Sequence, residues 1–153
     1  MTDRPRGLFY EDLEEGATYS TKSRTVTEAD IVNFAGISGD FNELHMNEEH
    51  ARKTAFGKRI AHGMLGLAIC SGLVQQLDLY NDTLVAFLGL NWGFKKPIFI
   101  GDTVYAEQTI KSKRLSKDPQ RGIVVLETRL KNQDGEVVQE GERTVMIRTR
   151  NAS

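Results

Sequence analysis

The most apolar stretch of the chain lies in its middle. Met64, Leu65, Leu67, Ala68, Ile69, Cys70, Leu73 and Val74 place apolar groups almost all round a helical wheel. A helix without a polar face is buried on several sides, so the pattern predicts a central helix over residues 63–77. Gly66, Ser71 and Gly72 within it are small and allow close approach by whatever surrounds the helix. Each Gly costs roughly 1 kcal/mol of helix propensity relative to Ala, so packing has to compensate.

The flanking patterns are different. Residues 8–16 mix aromatics with acids and read as an irregular entry segment. Residues 18–26 are rich in Thr, Ser and Tyr, which suits a strand. Thr27-Glu28-Ala29-Asp30 fits a capping box, and Ile31, Phe34 and Ala35 follow at helical spacing, which predicts a short amphipathic helix over 28–37. Gly36 and Gly39 weaken its end, so the chain leaves the helix just before Asp40. Asn47, with Glu48 and Glu49 behind it, caps another helix that reaches residue 53. Phe56-Gly57-Lys58-Arg59 is a turn with two cations.

After the central helix the period shifts towards two. Residues 83–94 are rich in Val, Leu, Phe and Trp, and residues 103–115, 123–130 and 137–148 alternate. Pro97 and Gly101 break the first run from the second, and residues 117–122 carry loop chemistry. Asp134-Gly135 marks a hairpin in which both turn residues would take positive φ. The count is about five strands, four of them sequential and antiparallel. A long apolar helix wrapped by a twisted antiparallel sheet is an α+β layer architecture.

Composition narrows the class. With 153 residues, 39% hydrophobic and 27% charged, the chain is one globular domain with a real core. A net charge of −1 gives no basic balance of the kind that a nucleic-acid partner usually requires. Cys70 is the one cysteine, which excludes an intrachain disulfide, fits a reducing compartment and reads as a buried structural thiol. The charged start Met1-Thr2-Asp3-Arg4-Pro5-Arg6 has no apolar run behind it, so it is not read as a secretory signal. No apolar run reaches the ~20 residues that a membrane helix needs. A soluble cytoplasmic protein with a frayed end at residues 151–153 is the expectation.

The chemistry concentrates in two segments, Ser38-Gly39-Asp40-Phe41-Asn42-Glu43-Leu44-His45 and Ile60-Ala61-His62-Gly63. Asp40 and His45 fall on a short non-helical link, where a bend brings a carboxylate and an imidazole to one small volume. Such a pair can hold a water and take its proton, a gain of roughly 10²–10⁴-fold in rate. Alternatively, Asp40 caps a turn and His45 is a satisfied core residue. Gly63 opens the central helix, where first-turn amides lack intrahelical partners and favour negative charge. Its amide is a candidate oxyanion donor; equally, Gly63 permits tight packing. His62 is an orienting residue or a neighbour of the N-cap. Ser71 has no His or Lys at nucleophile spacing, but its hydroxyl could line a pocket. His45, His50 and His62 show no zinc-type spacing, so no metal is expected, and His50 is assigned to solvent.

These segments, with Met64 and Phe94-Lys95-Lys96-Pro97-Ile98-Phe99-Ile100-Gly101-Asp102, resemble the MaoC-like dehydratases, which include the (R)-specific enoyl-CoA hydratases. The resemblance runs from about residue 10 to 149, in order and with family-like spacing. It implies a single hot-dog domain that forms a homodimer or higher homo-oligomer, and syn addition of water to an enoyl-CoA without any cofactor besides the CoA of the substrate. Asp40 and His45 match the family's catalytic dyad. Asn42 matches its supporting loop residue, Gly63 the thioester-binding amide, and Ser71 a helix serine near the dyad whose hydroxyl could bond Asp40 or His45. Lys58, Arg59, Lys95 and Lys96 are positioned as candidates for the CoA phosphates. Two positions depart from the pattern. Glu43 stands where the family usually has Pro, whose fixed φ would stiffen the loop, and Asn47 stands for an Asp, a conservative change of cap. The alternatives are a hydratase of a branched or dicarboxylic acyl-CoA of mesaconyl type, a non-catalytic acyl-CoA-binding hot-dog protein and, more weakly, a thioesterase. An arginine in the acyl pocket would favour the dicarboxylic case, and the sequence alone does not place one there.

Overall fold

A computed structural model describes residues 6–151. The expectations for the first residues and for 152–153 lie largely outside that range. Tyr10–Asp12 is a single 3₁₀ turn. The strand expected over 18–26 is split into β1 (Thr18–Ser20) and β2 (Arg24–Thr25). Helix α1 (Glu28–Ser38) starts as the capping box requires. The Thr27 amide donates to Asp30 Oδ2 at 2.9 Å, and the Asp30 amide donates to Thr27 Oγ1 at 3.4 Å. It ends at Gly39 in the left-handed conformation, φ 77°, where a side chain would be strained.

Two short helices follow, α2 (Glu43–Met46) and α3 (Glu48–Arg52). The link holding Asp40 and His45 is therefore not wholly irregular, because His45 lies on a turn of helix. Asn42 accounts for this by capping α2, its Oδ1 accepting from the Leu44 amide at 2.9 Å. Asn47 then caps α3.

Helix α4 (Gly63–Gln75) is the predicted central helix, about half a turn shorter at its end. Leu65, Gly66, Ile69, Cys70, Leu73 and Val74 are buried in the main core, with Val104, Ala106, Leu130 and Val138 of the sheet. Met64, Ala68, Ser71 and Gly72 are exposed. The expectation of burial on several sides is thus met on one face only: the second apolar face has no cover among the described residues.

The sheet contains β3 (Leu84–Phe94), β4 (Thr103–Leu115), β5 (Arg121–Lys131) and β6 (Val137–Arg148), in the order β1-β4-β5-β6-β3, with β2 also on β4. All pairings are antiparallel. Six strands replace the expected five. The β5–β6 hairpin is present, but only Gly135 of the Asp-Gly pair has positive φ, 75°. Asn132 explains the different turn: its side-chain oxygen accepts from the amides of Asp134 and Glu136 and closes a wider loop. A second core cluster, including Leu13, Ile110, Leu126 and Ile147, seals the far end of the sheet. No helix among the described residues is long and apolar enough to cross a membrane.

Candidate active site

The loop that presents Asp40 is held by its own polar side chains. Ser38 Oγ accepts from the Asp40 amide at 3.1 Å, Asp40 Oδ1 from the Asn42 amide at 3.2 Å, and Asn42 Oδ1 from the Leu44 amide at 2.9 Å. Each link is a side chain bonding the backbone two residues on, the local geometry that Ser, Asn and Asp favour. Glu43 adds to this order. Its carboxylate accepts from Asn47 Nδ2 at 3.1 Å and lies 3.3 Å from His50 Nδ1. The missing Pro is thus offset by side-chain bonds across α2 and α3. His50, read as a solvated residue, is half-exposed and pairs with Glu43 when protonated.

Two imidazoles stitch this loop to the start of α4. His45 Nδ1 donates to the Ile60 carbonyl at 2.7 Å, because a carbonyl can only accept. In the neutral ring this leaves Nε2 as an unprotonated acceptor. His62 is buried, 1% exposed, and its Nε2 donates to the Asp40 carbonyl at 2.9 Å. Its Nδ1 is buried without a partner. The two rings stack, with centroids 3.9 Å apart and planes at 30°, and Phe34 packs on His62 at 5.0 Å. One ligand-type atom each from Asp40, His45 and His62 lies within 4.8 Å of the others. That span admits a single water between carboxylate and imidazole. It also has the composition of a cation site, although the spacing in the sequence predicts none. His62, the N-cap residue of α4, thus bonds the Asp40 backbone and stacks on the His45 ring.

Gly63 begins α4, and its amide has no hydrogen-bond partner among the described residues. A Cβ there would stand 2.8 Å from Phe94 Cε1, so a side chain fits only if that ring moves. A cavity of about 320 Å³ opens beside it, lined in part by Phe56, Ile60, Gly63, Phe94, Lys95 and Lys96. This is at the lower end of the size range of small-molecule sites.

The four candidate cations divide. Lys95 and Lys96 line the cavity; Lys95 Nζ stands 3.7 Å from Glu140, and Lys96 is bonded to Glu136. Lys58 Nζ sits over the Phe99 ring at 4.3 Å. Arg59 is committed elsewhere. It bonds Glu48 at 2.6 Å and Glu28 at 2.8 Å with a side chain only 16% exposed, so it ties α1 to α3. Ser71 makes no hydrogen bond to Asp40 or His45. It stands eight residues along α4, about 12 Å from the helix start at 1.5 Å per residue, and lines a separate apolar cavity.

One contributor escaped the sequence reading. Gln139 on β6 is 2% exposed. Its Nε2 donates to the Gly63 carbonyl at 3.0 Å, and its Oε1 accepts from Trp92 Nε1 at 3.0 Å. The signal available was a polar residue on the inward alternation of β6, but its partners lie far away in the chain.

Comparison with known proteins places the chain in a family. An (R)-specific enoyl-CoA hydratase of Rhodospirillum rubrum is 37% identical over 142 residues, 93% of each chain. The crystal structure of the MaoC-like dehydratase from Rhodospirillum rubrum superposes with a TM-score of 0.84 at 33% identity, covering 94% of this chain and 99% of that one. Rv0216 of Mycobacterium tuberculosis, which has a double hot-dog fold, matches at a TM-score of 0.78 and 21% identity over 96% of this chain and 46% of its own, and so supports the hot-dog fold alone. Residues 12–132 match the family model of the MaoC like domain, and the chain belongs to that family.

Proposed function

We propose that this protein catalyses the reversible hydration of a 2-enoyl-CoA to a 3-hydroxyacyl-CoA. The observation that carries the proposal is the double tether, Ile60 to His45 and Asp40 to His62, which joins a water-activating pair to a free helix-start amide. Water bonds to the Asp40 carboxylate and to His45 Nε2. One of these bases takes a proton as the water oxygen forms a bond to the β-carbon. The C=C π pair becomes an enolate whose oxygen accepts from the Gly63 amide. The α-carbon then takes a proton from the base that accepted one from the water, so the elements of one water are added and nothing is oxidised. The Gly63 amide stabilises charge only as it develops, which is where such a donor is most effective. Relatives named as (R)-specific enoyl-CoA hydratases support the reaction class. No metal enters this scheme, because carboxylate and imidazole suffice to activate the water. Lys95 and Lys96 are the cations best placed for the CoA phosphates, being at the cavity beside Gly63.

The second face of α4 and strand β3 favour a homodimer. β3 is the end strand of the sheet, has no charged residue, and exposes Phe87, Leu88 and Leu90. A long uncharged edge strand is a template for pairing, and a second copy would cover it together with Met64 and Ala68.

The test is hydration of crotonyl-CoA by the purified protein and by Asp40→Asn. The Asn42 amide can still bond an Asn carbonyl oxygen, so the loop should keep its shape while turnover falls roughly 10²–10⁴-fold. Near-normal hydration by a folded Asp40→Asn protein would sink the assignment.

A further inference from the structure

A second cavity, also about 320 Å³, lies on the open face of α4. Phe34, Met64, Leu67, Ser71, Phe87 and Leu90 line much of it, and its surface is almost entirely apolar. One group does not fit. Arg143 of β6, between Leu90 of β3 and Leu126 of β5, lines the same space. Its Nε is buried without a hydrogen-bond partner, and no carboxylate pairs with it among the described residues.

The surroundings give Arg143 no counter-charge. The nearby ionisable groups are Cys70 and Tyr80. Burial pushes the Cys70 thiol up to about 11 and the Tyr80 phenol up to about 12. Both are neutral near pH 7. A guanidinium stays protonated in proteins, so the cavity holds a positive charge among hydrocarbon. Such a charge is costly unless something anionic completes it. Phe34 connects the cavity to the proposed site, because it lines the one and packs on His62 in the other. Gly63 and Met64, adjacent in the chain, face the two cavities in turn. A thioester carbonyl at Gly63 with its CoA arm towards Lys95 and Lys96 therefore sends its acyl end towards Arg143.

We infer that the cavity of Arg143 and Ser71 is the acyl pocket, and that it selects acyl thioesters ending in a carboxylate. The inference rests on the hydratase reading for the identity of the thioester. Arg143 forms a charge-assisted bidentate pair with the terminal carboxylate, Ser71 donates to one of its oxygens, and the apolar lining takes the methylenes between.

Saturated analogues test this without requiring turnover. Glutaryl-CoA is butyryl-CoA with a carboxylate in place of one terminal hydrogen, and calorimetry should show glutaryl-CoA bound at least about tenfold tighter. Arg143→Met should bring the two within about threefold, and Arg143→Lys should keep part of the preference. In turnover, glutaconyl-CoA should be preferred to crotonyl-CoA in the same way. Equal binding of the two analogues by the wild-type protein, or a preference that survives Arg143→Met, overturns the inference. If Arg143→Met weakens both ligands alike and dissociates the oligomer, Arg143 serves a carboxylate of the second copy and the inference is overturned as well. Should Arg143→Met not fold, the wild-type ratio and Arg143→Lys still decide. Retained glutaryl preference without hydration of either enoyl thioester would leave the pocket standing and remove the hydratase reading.

Discussion

Gln139 holds the carbonyl of Gly63 at 3.0 Å, so the sheet fixes the first turn of the helix on which the proposed carbonyl site depends. The same side chain accepts from the Trp92 indole, leaving neither end of its amide idle. Gly66 makes room for it, because a Cβ there would come within 2.2 Å of Gln139 Nε2. Gln139→Leu removes both bonds and leaves the Trp92 indole N–H without its acceptor, while the Gly63 carbonyl keeps its place in the helix ladder. One unsatisfied group costs about 1–3 kcal/mol. The expected loss is about 1–3 kcal/mol in urea unfolding, with a fall in kcat/KM for crotonyl-CoA larger than that of a surface control such as Lys117→Gln. An unchanged kcat/KM in the folded variant would separate Gln139 from the positioning of Gly63.

Much of this arrangement is legible in the sequence because it is local. The Thr27–Asp30 box, the Asn47 cap and the span of α4 depend on neighbours three or four positions away, and each was read directly. The Asp40–His45 constellation also shows in its residue types. What the sequence conceals is long-range or needs a second surface. Gln139 meets Gly63 across 76 positions. Arg143 shares the inward alternation of Gln139 and Val145, which marks it as helix-facing, yet only the fold shows that no acid meets it. The all-round apolarity of α4 predicts burial on several sides, whereas one of its faces is exposed in the single chain. A hydrophobic pattern does not distinguish a core from an interface.

Gly63 should tolerate Ala poorly for two separable reasons. Its carbon would collide with Phe94 at 2.8 Å, and it would also stand between the amide and an approaching carbonyl. The first defect is one of packing and the second one of approach. Gly63→Ala is expected to lose stability and to lower kcat for crotonyl-CoA by roughly 10²-fold, the scale of one lost oxyanion donor. Adding Phe94→Leu should restore stability, because the ring is a movable side chain, but not kcat. Recovery of both would mean that Gly63 serves packing alone.

Asp40, His45 and His62 lie close enough to bind a cation, so metal removal is informative. In the proposed scheme both His45 Nδ1 and His62 Nε2 already donate to carbonyls, and the water needs only Asp40 and His45 Nε2. Dialysis against a chelator followed by assay in metal-free buffer should leave crotonyl-CoA hydration within about twofold, since the acid–base pair is intact. Loss of activity that zinc or another divalent ion restores would assign the cluster to a metal instead.

Asp12 gives the fold an acid-sensitive tie. The Phe9 amide donates to its Oδ2 at 3.0 Å, and the Arg150 guanidinium bonds its Oδ1, linking the entry turn to the end of β6. The Phe9 amide first, and then Arg150, hold its carboxyl below its ordinary value of 3.8, against the opposing effect of burial. A carboxyl whose folded value is depressed binds its proton more readily when unfolded, so stability rises with pH through this window. The contribution is complete above the unfolded value and is lost as pH falls through the folded one. Asp12→Asn should therefore cost on the order of 1 kcal/mol in urea unfolding at pH 7, the scale of one charge-assisted bond at a half-buried site. The gap between the two proteins should hold steady down to about pH 5 and narrow below about pH 4. A difference that stays constant down to the lowest pH at which both remain folded would show that shape, not charge, makes this tie.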